Sequence, residues 1–306
     1  MKTVTILLPA YNEAESFTEL KQCMDQVAVD NSNYEWQFLM VNDGSTDDTL
    51  QQMQQLHVAD SRYHYLDLSR HYGKEIAIMA GLDHAEGDAI IIMDADMQHP
   101  IDVIPEMLKY WEEGYDDVFA QRQESHESWI KQTTSHLYYQ LLQHSTDITI
   151  QMNTGDFRLL DRKCVEALKQ MRETDRNTKG MYSWIGFHKK GIDYHQKKRA
   201  HGTTKWHFGS LVNLALTGIT SFTTAPLRFA SVLGFIISIL AFLYLIYIIL
   251  KTIFVGEPVQ GFPTLMITIL FLGGIQLISL GIIGEYLSHI FNETKKRPGY
   301  FIREYK

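Results

Sequence analysis

Two kinds of hydrophobic pattern divide this chain. In the first 205 or so residues, short apolar runs rich in β-branched and aromatic residues alternate with segments of helical period. Thr3–Leu8, Trp36–Val41, Tyr63–Leu68, Ala89–Met93 and Asp117–Ala120 read as strands. Ala14–Ala28, Asp47–His57, Lys74–Ala85, Asp102–Glu113 and a longer segment near His126–Gln143 read as helices. This alternation predicts an α/β fold with a mostly parallel sheet. Unbroken apolar strands such as AIIIM suit a sheet covered on both faces.

The second pattern is membrane-like. Ser231–Leu250 is a run of 20 residues without a charge, and Thr264–Gly284 is another of 21. At about 1.5 Å per residue, each is long enough for a hydrocarbon core of roughly 30 Å. The expected division is a soluble domain over 1–205, interfacial helices over 206–228, two transmembrane helices over 229–288 and a basic tail over 289–306.

Charge sharpens that division. Residues 1–226 hold 21 Lys and Arg against 32 Asp and Glu, whereas 227–306 hold 7 against 4. The basic flanks put both termini and the soluble domain in the cytoplasm, with the short loop outside the plasma membrane. The acidic balance argues against nucleic acid as a partner. Cys23 and Cys164 form no disulfide framework or metal motif and fit a reducing compartment.

Ligands of parallel sheets bind beyond the carboxyl ends of the strands, and three of those ends are polar. They carry Pro9-Ala10-Tyr11-Asn12-Glu13, Asn42-Asp43-Gly44-Ser45 and Asp94-Ala95-Asp96-Met97-Gln98. Neither a GxGxxG nor a GxxxxGK[ST] loop is present. The Asp94 and Asp96 carboxylates, with the Gln98 amide, are hard oxygen donors for Mg²⁺ or Mn²⁺; the alternative is a pair of acids capping the helix near Asp102. Asp43 reads either as a turn-forming acid or as the acceptor of a nucleobase N–H. Tyr11 offers a face for the base, and Glu13 an acceptor for ribose or an acid in a helix first turn. Asn153–Arg158 reads as a polar loop in which Asp156 acts as a base or orients an acceptor, and Arg158 holds Asp156 or a phosphate. Lys189–Lys205 carries six basic residues beside the membrane part, where they can grip anionic headgroups or a lipid phosphate. Arg122 and Lys131 are further phosphate candidates. His57, His64, His71 and His99 read as structural.

The segments LLPAYNE, VNDGSTDDT, LSRHYGKEIAIMAG, IIIMDADMQHP and NTGDFRLLDRK, in this order, resemble the family 2 glycosyltransferases. The likeness is closer to the polyprenyl-phosphate branch and extends to HGTTKW, the two apolar runs and KKRPGYFI. It implies a GT-A fold and transfer of a sugar from a nucleotide sugar to a polyprenyl phosphate such as undecaprenyl phosphate. It implies that Pro9, Tyr11, Asn12, Glu13 and Asp43 hold the nucleotide, with Lys74 nearby and Asp94 at the ribose and diphosphate. Asp96 and Gln98 would take the metal, Asp156 would lie at the sugar and acceptor, and Arg122, Lys131, Arg199 and Lys205 would serve phosphates. It also implies a homotetramer, and a product on the cytoplasmic leaflet would need a separate flippase and a second transferase outside. A processive polysaccharide synthase lacks support, because there is no QxxRW motif and there are too few apolar runs. A transferase with another acceptor and a non-catalytic nucleotide-sugar sensor are the remaining alternatives.

Overall fold

The computed structural model describes residues 1–96, 99–122, 154–174, 176–194, 225–255 and 261–306. These fall into two compact units, 1–194 with 297–306, and 225–296.

In the first unit, the eight described strands form one sheet. They are β1 (Thr3–Ala10), β2 (Glu35–Asn42), β3 (Tyr63–Leu68), β4 (Ala89–Ile92), β5 (Asp117–Arg122), β6 (Thr154–Asp161), β7 (Lys189–Tyr194) and β8 (Ile302–Tyr305). Their spatial order is β7-β5-β6-β4-β1-β2-β3-β8. β6 runs antiparallel to β4 and β5, and β8 antiparallel to β3; the remaining neighbours are parallel.

Strand alternation decides which helices cover which face. On β1, Val4, Ile6 and Leu8 point into one core with α1 (Phe17–Asp30), α2 (Thr49–Ala59) and α4 (Ile104–Glu112). Leu7 points into the other, with α3 (Lys74–His84), α5 (Arg162–Gln170) and α6 (Thr178–Trp184). α4 follows a short 3₁₀ turn at Ile101–Val103 and buries Ile104, Met107, Leu108 and Trp111, a helical stripe. α3 lies tight on the sheet at Gly81, where a Cβ would stand 2.1 Å from Leu7 Cδ1. The Asp161 carboxylate caps α5 by accepting from Lys163 N at 3.0 Å.

Three expectations change. Residues 154–158 are the start of β6 rather than a loop. Their polar residues escaped a strand reading because the counter-charges of Asp156 and Arg158, Lys74 and Asp117, are distant in sequence. Lys189–Tyr194 is strand β7, parallel to β5, rather than only a solvated basic face. The C-terminal tail contributes β8 at the sheet edge. The expected helix near His126–Gln143 and almost all of the interfacial segment 206–228 lie outside the described residues.

The second unit holds α7 (Ala225–Val255) and α8 (Phe262–Thr294). Among the described residues, one stretch, Phe271–Thr294, is long and apolar enough to cross a membrane. α7 contains the uncharged run Ser231–Leu250. Phe235, Phe242, Tyr247 and Phe254 of α7, and Leu277, Leu280 and Ile290 of α8, are largely exposed.

Candidate active site

The carboxyl edge of the sheet gathers the polar clusters. The β4–β6 register pairs Ile92 with Arg158. Continued two residues outward, it sets Asp94 opposite Asp156. Lys74, first residue of α3, closes this pair. Its Nζ lies 2.8 Å from Asp94 Oδ1 and 2.7 Å from Asp156 Oδ2. Burial works against the Lys74 ammonium, but the two carboxylates outweigh it and raise its pKa. Burial likewise works against the Asp94 carboxylate, yet Lys74 and His99 hold it well below the usual carboxylate range. His99 Nε2 is 3.3 Å from Asp94 Oδ2, and its ring lies 4.7 Å from that of Phe157.

Asp156 is nearly buried, and among the described residues its Oδ1 has no hydrogen-bond partner. A buried acceptor without a donor is costly, so this oxygen is poised for an incoming hydroxyl or cation. Asp96 stands on the turn just past Ala95, partly exposed. Arg122 ends β5 beside Tyr194 of β7. Burial raises the Tyr194 pKa, opposed by the charges of Arg122 and Lys74 and helped by those of Asp94 and Asp96.

A second group stands at the ends of β1 and β2. Pro9 is buried, in register with Val41. Asn12 takes a left-handed φ of 56° and locks onto the next turn: its Oδ1 accepts from Thr46 N at 2.8 Å, and its N–H donates to Ser45 Oγ at 3.0 Å. Glu13 N–H donates to Thr49 Oγ1 at 3.0 Å. Asp43 is 2% exposed and accepts from Tyr72 N at 2.7 Å and Gly73 N at 2.9 Å. His71 Nδ1 adds a contact at 2.9 Å. The turn-forming reading of Asp43 therefore has direct structural content, since its carboxylate shapes the loop leading into Lys74. Gly44 makes this approach possible. Its φ is 67°, and a Cβ there would lie 2.5 Å from Arg70 C and His71 N. Tyr11 stacks on His71 with ring centroids 4.0 Å apart and planes at 25°, and it remains partly exposed. The two rings make a platform that a planar base can extend.

Several expected site residues fall elsewhere. Arg158 is 1% exposed, and its Nη1 pairs with Asp117 Oδ2 at 3.0 Å while its guanidinium lies 3.7 Å from the Tyr182 ring centre. Among the described residues it forms a buried pair with Asp117 and no ion pair with Asp156. Gln98, Lys131, Arg199 and Lys205 lie outside the described residues. Among the described residues, no three His, Cys, Asp or Glu side chains cluster as a metal site. Conversely, His71 and His99 stand in the site although their sequence gives no such signal beyond their place just after a strand end.

Glu75, next to Lys74 on α3, is anchored by Thr178 at the start of α6. It accepts from Thr178 N at 3.0 Å and from the Thr178 hydroxyl. Burial, helped by the Asp156 charge, pushes its carboxyl from 4.5 up to about 7. The folded protein thus binds this proton more tightly than the unfolded chain does. Stability is lost as pH rises from about 4.5 to about 7. We expect Glu75→Gln, which keeps an acceptor for Thr178, to flatten that part of the unfolding-midpoint profile. Identical slopes for the two proteins would refute the assignment.

The family model described as glycosyl transferase family 2 matches residues 5–169, and that described as the GtrB C-terminal hairpin matches 225–290. The chain belongs to glycosyl transferase family 2. It is 43% identical over 302 residues to an uncharacterized glycosyltransferase of Synechocystis, covering 98% of this chain and 95% of that one. It is 40% identical over 304 residues to the prophage bactoprenol glucosyl transferase homolog of Escherichia coli, covering 99% of both. The bactoprenol glucosyl transferase of Shigella phage SfV is 39% identical over 304 residues, again covering 99% of both. A solved mannosyltransferase of Pyrobaculum calidifontis, in complex with GDP-Man and Mn²⁺, aligns with a TM-score of 0.49 at 17% identity, covering 69% of this chain and 59% of that one. Within family 2, the sheet described above is a GT-A fold, and the chain is a glycosyltransferase.

Proposed function

We propose that this family 2 enzyme moves a sugar, with inversion, from a nucleotide sugar to a polyprenyl phosphate such as undecaprenyl phosphate. UDP-glucose and UDP-N-acetylglucosamine are the favoured donors. The observation that carries this reading is the Asp94–Lys74–Asp156 cluster at the carboxyl edge, beside the Tyr11–His71 platform, in a chain that also bears the hairpin. Relatives named bactoprenol glucosyl transferases match it end to end.

In this reading the base stacks on the Tyr11–His71 platform, and the interlocked Asn12 and Ser45 turns fix the pocket around it. Lys74 faces the diphosphate. Asp156 Oδ1 accepts from a sugar hydroxyl and fixes the sugar relative to the acceptor. A phosphate monoester has its second pKa near 6 and is largely dianionic in the cytosol, so it attacks with little need of a base. Asp156 is therefore an orienting group. The donor set suits Mg²⁺ or Mn²⁺: Asp96 offers hard oxygens, and Gln98 follows two residues later. Asp94, a further carboxylate two residues before Asp96, is engaged by Lys74 and His99. Such an ion would screen charge on the departing diphosphate.

The exposed apolar side chains of α7 and α8 support a membrane pair, two spans with both termini cytoplasmic. Arg122, Lys131, Arg199 and Lys205 would meet the lipid phosphate. The reading extends to a homotetramer, and to a separate flippase and outer-face transferase that take the product onward.

The test incubates purified full-length protein with undecaprenyl phosphate, Mg²⁺ or Mn²⁺, and labelled UDP- and GDP-sugars, with and without EDTA. Label extracted into organic solvent from one donor, lost with EDTA, is expected. Folded protein that binds nucleotide but labels no lipid would favour another acceptor or the sensor reading.

A further inference from the structure

A continuous chain of polar contacts runs from the C-terminal strand to the turns that shape the candidate nucleotide pocket. Arg303 of β8 donates from Nη1 to Asp67 Oδ2 at 3.0 Å and from Nη2 to Ser69 O at 2.9 Å. Asp67 is 1% exposed and receives on its other oxygen, Oδ1, the Asn42 amide at 2.7 Å. Asn42, equally buried, accepts on its own Oδ1 from Ser45 N at 3.1 Å. Ser45 Oγ in turn accepts from Asn12 N. A second thread runs beside it. Phe301 N–H donates to the Tyr72 hydroxyl at 3.2 Å, and Tyr72 N–H donates to Asp43.

Asp67 and Asn42 are buried polar groups at the last residues of their strands that carry the sheet register. Such groups hold one geometry only while each has its partner. Arg303 supplies the charge that Asp67 needs, through the planar fork that suits a carboxylate and a neighbouring carbonyl. Its guanidinium stands at the sheet edge, yet the geometry it fixes ends at Asn12, which follows β1, three strands away. We infer that Arg303 is a positioning residue for the nucleotide-sugar pocket, acting through Asp67 and Asn42 on the Asn12 and Ser45 turns. This rests on the pocket assignment made above. It gives the tail beyond α8 a part in donor binding that neither its basic composition nor its edge position announces.

The test uses full-length protein in detergent and measures UDP and GDP affinity by calorimetry, together with donor KM, kcat and thermal midpoint. Arg303→Ala is compared with Arg303→Lys and with Glu304→Gln. Glu304 sits on the same strand but contacts Gln54 of α2 instead, at 3.4 Å. Arg303→Ala is expected to weaken nucleotide binding and raise donor KM about tenfold, the scale of one charge-assisted hydrogen bond, with kcat within about twofold. Arg303→Lys falls between, because lysine keeps the charge but not the fork, and Glu304→Gln stays at wild type. Unchanged affinity in Arg303→Ala while the wild type binds nucleotide overturns the inference alone. The same holds for a fall in kcat at constant KM, or for equal losses in Arg303→Ala and Glu304→Gln. A wild type that binds neither UDP nor GDP overturns the pocket assignment itself.

Discussion

Lys74→Met is expected to lower turnover by on the order of 10²- to 10³-fold, the loss that follows removal of one preorganised electrostatic group. The ammonium is the sole described cation within ion-pair distance of Asp94 and Asp156 together. Without it, two carboxylates at the strand ends repel each other and the donor diphosphate. Stability falls as well, because the nearly buried Asp156 carboxylate is left without its counter-charge. The acid response shifts in a defined direction. Lys74 depresses the Asp94 pKa, so the stabilisation it brings is present at neutral pH and is lost only as pH falls through that depressed value. In Lys74→Met that loss moves up toward the ordinary carboxylate range, and acid inactivation begins at higher pH. Lys74→Arg, which keeps the charge in a different shape, is expected to recover part of the rate. Steady-state rates and pH-inactivation curves of the three proteins decide this. A Lys74→Met enzyme within about threefold of wild type would remove Lys74 from the electrostatic machinery.

How far the sequence carries depends on whether a residue's role is local. β1 to β5 follow from apolar runs, because strands buried on both faces must be apolar. The strand-end clusters at Asn12, Asp43 and Asp94 follow because the carboxyl edge of a parallel sheet is where polar residues leave the core. β6 is illegible for the opposite reason. Its Thr-Gly-Asp-Phe-Arg start puts a glycine and two charged residues into a central strand, and only Lys74 and Asp117, distant in sequence, make those charges tolerable. β8 is illegible because four residues at an edge need a partner strand, not a pattern. The pair Tyr11 and His71 is half legible. Tyr11 stands in a strand-end motif, while His71 acquires meaning only when Gly44 lets its loop close onto Asp43.

Arg158→Met tests the residue whose reading changed most. Arg158 and Asp117 are 1% and 0% exposed, so removing the guanidinium leaves a carboxylate in the core without its counter-charge. The expected loss is about 3–5 kcal/mol of unfolding free energy. Burial already raises the Asp117 pKa, with Arg158 as the principal opposing charge. In the variant the carboxyl is pushed higher still and takes up a proton in the folded state. Its cost is therefore greatest at high pH and shrinks as pH falls toward the ordinary carboxylate value. The double variant Arg158→Met/Asp117→Leu removes both charges and is expected to regain most of the loss, since apolar side chains of similar volume can replace a buried pair. Denaturant midpoints of the full-length protein, compared across pH, measure both effects. A structural pair predicts that the double variant also recovers activity with its stability, at an unchanged donor KM. If the double variant is as stable as wild type yet inactive, Arg158 belongs to the reaction after all. The buried Arg158–Asp117 pair and its stacking on Tyr182 make the opposite outcome the expected one, because a guanidinium held there sets the strand that presents Asp156 and touches nothing that reacts.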